Sequence, residues 1–398
     1  MDQLDGDAGA DPTAAQAHPV SGDWAYEADG YFEEQYPLSP LDDHLIHQTP
    51  DPIRVAATTD PRFFERHWNI FHDQAGELLI ATGGSFYPNL DTAEAYAIVT
   101  CRGVQRSVRA FRRIGANRGS IHVGPIRPTI VAGMREWRHE LDAREHGLAY
   151  DLTWRDSHRQ MYRAAYGSLE NGNPPGGQRH VTAGFESFGT VGGWVEFEGE
   201  RFTLDPGTAR GTRDRHWGIG RGVGGPRFQS DGKPPKAGWI GGVWIAFRDF
   251  AIWGPIVLYR YGDSRARYGK VRKVDRRFRF EPVTQVFAEA VIDFTLDNGD
   301  MKRVHFEKLG QQTAFMTCGL YGGSPDRSIW QGDAQPDGTV QGDRHDLTDP
   351  DIRIALRGLD EHHCRITCDG EVSTGLLQPL EPDAFLACER DEKGWAFL

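Results

Sequence analysis

The chain has 398 residues, 26% charged and 38% hydrophobic, which excludes a disordered or fibrous polymer and leaves room for two or three domains. Lys and Arg number 45 against 57 Asp and Glu, a net charge of −12, so the overall balance does not draw the chain to nucleic acid or to an anionic membrane. Eleven Trp, 12 Tyr and 21 Phe can line a large cavity, and 48 Gly with 23 Pro favour short strands and tight turns over long helices.

Residues 1–20 are rich in Ala and Asp and lack both the basic and the apolar region of a signal peptide, so they read as a disordered tail. Trp24 to Leu41 is aromatic and acidic, broken by Pro37 and Pro40, and reads as a short helix or a strap over the first β unit. From His67 the pattern becomes strand-like: Trp68 to Phe71, a turn at Asp73 to Gly76, then Leu78 to Ala81, Ala95 to Cys101 and Val104 to Arg113. Met134 to Glu145 carries enough charge for a helix. However, Trp137, His139 and Leu141 alternate, as do Leu148, Tyr150, Leu152 and Trp154, which predicts two strands joined around His146-Gly147.

Hairpin signals follow. Trp194 to Leu204 turns at Glu198-Gly199, and Val291 to Phe306 at Asn298-Gly299, where positive φ is expected at both turn residues. Asp337-Gly338 and Asp369-Gly370 repeat the device. Strands at intervals of about ten residues without long amphipathic helices predict an all-β sandwich or barrel architecture. Leu169 to Gly177 reads as a loop, and the Gly-rich Gly218 to Ala237 as a long mobile loop over a barrel mouth. Hydrophobic hairpins on either side suggest two β domains, 21–210 and 211–398.

Several motifs carry little. Gly220 to Gly225 fits G-x-G-x-x-G, but Pro226 follows and no helix pattern opens, so a dinucleotide site is not supported. His362, His363, Cys364 and Cys368 resemble a metal cluster, yet residues four apart on a strand lie about 13 Å from one another, too far to share one zinc. No metal and no cofactor is expected. The basic run from Lys270 to Arg279 reads as a solvated strand face, and no apolar stretch is long enough to span a bilayer. Five cysteines, an odd number without a secreted-scaffold spacing, fit the reducing cytoplasm. The oligomeric state leaves no mark.

The informative segment is Arg213-Asp214-Arg215-His216-Trp217-Gly218. On a strand Asp214 and His216 share one face, and Arg213, Arg215 and Trp217 the other. Asp214 and His216 can form an acid/base pair in a cavity, or the segment can be a structural plug in which an ion-pair network and Trp217 close a barrel end. Residue types alone leave both open. Glu186, in Gly184-Phe185-Glu186-Ser187, is a further acid/base candidate. Trp194, Arg213, Trp217, Trp239, Trp244, Trp253 and Tyr259 are candidates for the ligand wall, where aromatic faces stabilise positive charge.

At this segment the chain resembles the two-domain lipocalin-like proteins that include the carotenoid 1,2-hydratases and the AttH-like proteins, and more remotely the lipocalin-like Diels–Alderases. Their Asp-His-Asn-Trp-Gly or Arg-Asp-His-Ser-Trp-Gly signature has its counterpart in Arg213 to Gly218. His47-Gln48, Arg66 to Asp73, Tyr87-Pro88-Asn89, Asp151-Leu152-Thr153 and Gly193 to Leu204 are similar to the same group. The resemblance covers roughly residues 40–300. It implies two lipocalin-like, calycin-type antiparallel barrels in tandem and an apolar isoprenoid, steroid-like or polycyclic ligand. The signature histidine falls on Arg215 and His216 comes one position later, which turns the imidazole to the opposite strand face and argues against carotenoid hydration. Two functions follow as expectations: a cofactor-independent hydratase, dehydratase or cyclase, or a carrier that binds a lipid or terpenoid without chemistry.

Overall fold

The structure, a computed structural model, describes residues 25–26, 43, 56–115, 118–165, 181–220, 223–224, 242–261, 265–323, 329–378 and 390–397. In chain order the strands are β1 (Ala25–Tyr26), β2 (Phe63–His72), β3 (Leu78–Tyr87), β4 (Thr92–Cys101), β5 (Val104–Arg113), β6 (Ile126–Ala132), β7 (Glu136–Ala143) and β8 (Leu148–Asp156). Next come β9 (Met161–Ala165), β10 (Val181–Phe197), β11 (Glu200–Leu204), β12 (Arg210–Ile219), β13 (Gly242–Ala246), β14 (Phe250–Trp253), β15 (Ile256–Tyr261) and β16 (Arg265–Phe280). The last are β17 (Phe287–Leu296), β18 (Met301–Phe315), β19 (Tyr321–Gly323), β20 (Ile329–Trp330), β21 (Val340–Asp346), β22 (Asp360–Cys368), β23 (Glu371–Gln378) and β24 (Ala396–Phe397), with helix α1 (Pro350–Leu356) before β22.

The all-β reading holds, but the two units differ. Strands β13 to β18, β22 and β23 pair antiparallel in sequence order, and β23 returns to β13, which closes an eight-stranded up-and-down barrel. Phe278, Phe280, Phe287, Phe294 and Phe306 fill its interior with Ile245, Ile252 and Ile292. The first unit is a 12-stranded sheet in the order β21-β5-β4-β3-β2-β12-β10-β8-β7-β6, with β9 and β11 on β10. It curls around its own core, so that Tyr150 on β8 reaches Thr82 on β3 (3.0 Å) and Phe71 on β2 meets Trp154 (5.6 Å). Among the described residues no pairing closes it into the second barrel that the resemblance implies. The free edge of β5 is taken by β21 from Val340↔Ala110 to Asp346↔Val104, so β5 has no edge left for β6. Strand β12, which begins at residue 210, joins β10 to β2 inside the first sheet.

Burial patterns explain the layering. Strand β7 alternates, with Trp137, His139, Leu141 and Ala143 inward and Glu136, Arg138, Glu140 and Asp142 less buried. Strands β2, β3 and β4 are buried at every position because both of their faces are covered. Phe71, Ile80 and Val99 enter the first core, while Trp68, Leu79 and Ile98 pack towards the barrel against Trp244, Trp253 and Phe315. The hairpins at Glu198-Gly199, Asn298-Gly299 and Asp369-Gly370 fall where expected, whereas Asp337-Gly338 closes no hairpin, because β21 after it pairs with β5. Glu198 and Gly199 both take positive φ (51° and 85°), but at the β17–β18 turn only Gly299 does (90°). The Asn298 side chain accepts from Asp300 N (3.0 Å) and holds a local turn in place of the expected pair of left-handed residues. The tail at 1–20, the loop at 169–177 and most of the loop at 218–237 lie outside the described residues.

The first core is unusually polar at one end. Arg213 donates to Asp43 (2.9 Å) and to Asp156 (2.7 Å), and all three side chains are at most 1% exposed. Asp43 also accepts from Trp137 Nε1 (2.6 Å) and Met134 N (2.9 Å), while Glu65 takes Arg215 and Arg118, each at 3.2 Å. Removing one member of such a network strands a buried charge. Arg213→Met is therefore expected to lower stability by about 3–5 kcal/mol in a urea titration. Arg138→Met, which breaks the exposed Arg138–Asp151 pair, should cost less than about 1 kcal/mol.

Candidate active site

The antiparallel register of β10 and β12 sets Glu186 opposite Asp214 and Gly184 opposite His216. Arg213 and Arg215 turn into the first core, so the period of two sends Asp214 and His216 to the other face, towards the barrel. Gly184 is required there: a Cβ on it would stand 2.1 Å from His216 Cδ2 and 2.4 Å from the Arg215 carbonyl. The imidazole lies across the space that a side chain would occupy.

His216 Nδ1 and Asp214 Oδ2 are 2.8 Å apart, and Arg66 on β2 brings its guanidinium to 3.5 Å from the same oxygen. Glu186 accepts from Trp244 Nε1 of the barrel (2.9 Å), a bond buried between the two units. Trp244 packs tilted against Trp68 (5.2 Å between ring centres) and pairs in register with Trp253, which is also buried there. One donor atom each from Glu186, Asp214 and His216 lie within 4.8 Å of one another, close enough to share a cation, although Arg66 already supplies positive charge at this point.

The barrel contributes a group that the sequence reading missed. Glu361 on β22 is 1% exposed and accepts a hydrogen bond from the Gln378 amide. Burial holds its carboxyl well above the ordinary carboxylate range. The Gln378 bond pulls the other way, and the charges of Asp360 and Asp214 add to the rise. Its Oε2 is buried with no hydrogen-bond partner among the described residues. The neighbouring His363 stacks at 4.1 Å on His72 of β2, while His362 points into the barrel beside Phe287. That alternation separates the two histidines that suggest a metal cluster in the sequence, and it places Cys364 and Cys368 in the barrel core.

Beside the cluster a cavity of about 330 Å³ opens between the units, bordered by Phe188, Thr212, Trp244 and Leu376. The other wall candidates lie elsewhere. Arg213 is in the first core and Trp217 shares its strand face. Trp194 sits at the far end of β10 under Arg201 (4.0 Å), eight residues and about 26 Å from Glu186. Tyr259 lies in the barrel core bonded to Asp297 (2.6 Å), and Trp239 is outside the described residues.

Two outcomes follow. Gly184→Ala should cost about 1–3 kcal/mol in a denaturant titration, and a second change, His216→Ala, should recover only part of it because the Arg215 carbonyl remains in the way. Glu361 has a raised folded-state pKa, so its contribution to stability is full below the unfolded carboxyl's titration and is lost as pH rises through the raised value. Glu94, pushed up to about 8 by burial, acts in the same direction. Buried histidines such as His72 and His139, whose pKa values burial lowers, make stability rise from acid pH to about 6.5; above that it should fall, and Glu361→Gln should flatten that fall by up to about 1.4 kcal/mol per pH unit.

A family model, described as a family of unknown function (DUF8625), matches residues 38–253, which take in Glu186, Asp214, His216 and Trp244 but not Glu361. A search of the curated proteins finds no match. Among solved structures, CghA with Sch210972 aligns over 81% of this chain and 89% of its own, with 12% identity and a TM-score of 0.43. Kievitone hydratase from Nectria haematococca aligns over 85% of this chain and 96% of its own, with 10% identity and a TM-score of 0.41. No described helix is long and apolar enough to cross a membrane. The family match covers more than half of the sequence, and the chain belongs to DUF8625, a family of unknown function.

Proposed function

We propose that the chain is a cofactor-independent enzyme of the lyase or isomerase type, a hydratase, dehydratase or cyclase, that moves protons on a largely apolar substrate held between the curled sheet and the barrel. One observation carries this reading: a buried carboxyl, Glu361, whose pKa burial and the nearby Asp214 raise, lies across the interface from the Asp214–His216 pair. Two groups whose surroundings push their protonation apart are suited to act as acid and base at one pH.

In this reading Glu361 delivers a proton to a double bond or to a leaving oxygen, and His216, oriented by Asp214, takes one from carbon or from an attacking water. The two transfers balance, and solvent returns the proton from the imidazole to Glu361. No electrons leave the substrate, so no oxidant is needed. Trp244, Trp68 and Trp253 offer ring faces to a developing cation, and Glu186, held by the Trp244 N–H, fixes the ring that closes the site. The filled barrel moves the reading away from a ligand inside a barrel and towards the interface.

The cavity beside the cluster favours a second reading, a carrier that holds the same class of ligand without chemistry. One experiment separates them. The protein is incubated in D2O with a small-molecule extract, and protein-dependent incorporation of deuterium is followed by mass spectrometry. The enzyme reading expects incorporation that falls about a hundredfold or more in Glu361→Gln and in Asp214→Asn, with unchanged far-UV spectra. Incorporation that survives both changes, or ligand retention without any incorporation, rejects it.

A further inference from the structure

The cavity between the units carries charge of the opposite sign to the chain. Three arginines, Arg210, Arg248 and Arg260, line it with a single carboxylate, Glu371, in a protein of net charge −12. Arg248 is engaged by its neighbour Asp249 (3.1 and 3.2 Å), and Glu371 accepts from the Arg248 backbone N–H (2.8 Å). The other two guanidiniums are held by backbone carbonyls. Arg210 donates to Pro206 O (2.9 Å), Gly207 O (2.9 Å) and Ala209 O (3.1 Å), and Arg260 to Phe247 O (2.7 Å). Neither forms an ion pair with a carboxylate among the described residues.

Carbonyl contacts fix a guanidinium in place without neutralising it. The charges of Arg210 and Arg260 oppose one another across the cavity, and burial together with that opposition disfavours the Arg260 cation, against a pull from Glu371. Two histidines complete the polar wall and contribute no charge. His72 is held down to about 4 by burial, with Arg210 adding to the effect, and His158 to about 3 by burial and Arg260. The His72 ring is 3% exposed, and the Asp73 backbone opposes the lowering of its pKa. Fixed cations beside neutral imidazoles, with Phe188, Trp244 and Leu376 on the remaining wall, make a site with one polar end and one apolar end.

We infer that this cavity binds the carboxylate of an amphipathic organic acid, its anionic end between Arg210 and Arg260 and its apolar body along Phe188 and Trp244. The apolar wall leads to the acid/base cluster, because Trp244 also holds Glu186 and Thr212 precedes Asp214 by two residues on the same strand face. The occupant is a monocarboxylate, since one guanidinium charge is already offset by Glu371. That it is also the substrate rests on the reading of the interface as an active site; that it binds does not.

Calorimetric titration of the full chain with 4-phenylbutyrate and with its neutral amide, 4-phenylbutanamide, tests the site. The carboxylate is expected to bind roughly tenfold tighter than the amide, and Arg260→Met should bring the ratio close to one. Raising the salt from about 50 mM to about 500 mM should weaken the carboxylate alone, a check on the wild-type protein that holds even if the variant fails to fold. Equal affinities, or a preference indifferent to both salt and Arg260→Met, would overturn the inference. Carboxylate preference without deuterium incorporation keeps the pocket and removes the catalytic reading; incorporation without the preference does the reverse.

Discussion

Arg213 is held between Asp43 and Asp156, all three side chains buried, and this arrangement fixes the face of β12. A buried guanidinium between two buried carboxylates has one acceptable orientation, since a slip of one residue would carry it to the opposite face and leave both acids unpaired. With that face fixed, Asp214 and His216 have only the other side to occupy. The ion pairs of Arg213 and Arg215 and the Asp214–His216 contact lie on opposite faces of this one strand. Asp43 adds a long-range tie, because it reaches the network from well ahead of β2 and also caps the Trp137 indole.

The interface, rather than either core, collects the groups with chemistry. Aromatic and branched side chains fill the barrel, and the ion network occupies one end of the first core. Between the units an indole crosses to hold a carboxylate, a carboxyl loses its water, and a cavity lies alongside. Burying several acids in one place is costly unless their charge is suppressed or finds donors. Burial raises the pKa of Glu361, and Glu186 accepts a hydrogen bond from Trp244.

Much of the local structure was legible because it rests on local rules. Trp137, His139 and Leu141 alternate in the sequence, and their strand is buried in the same alternation; Glu198-Gly199 turns as its dipeptide demands. The shared face of Asp214 and His216 follows from the strand period alone. Glu361 was not legible. Within the run Asp360 to His363 nothing distinguishes an acid facing the first sheet from one facing solvent, and the burial that raises its pKa comes from neighbours far away in sequence. The pairing of β5 with β21 was equally hidden, because a strand such as Val340 to Asp346, with polar residues on both faces, carries no address. The continuous burial of β2 to β4 also has no signature beyond apolar density, since it reflects a neighbour and not a propensity.

The docking of β21 on β5 has a consequence for how the protein is made. Strand β5 ends at residue 113, and the strand that covers its edge begins at residue 340, so a ribosome must add more than two hundred residues between them. Throughout that interval β5 presents a row of unpaired backbone groups, the kind of edge that recruits other chains. Its side chains Arg106, Arg109, Arg112 and Arg113 then serve a purpose beyond their final contacts, because a charged edge resists pairing with a second copy of itself. In the finished molecule Arg109 turns to Asp343 of β21 (2.5 Å), so the charge that protects the nascent edge becomes the charge that recognises its late partner.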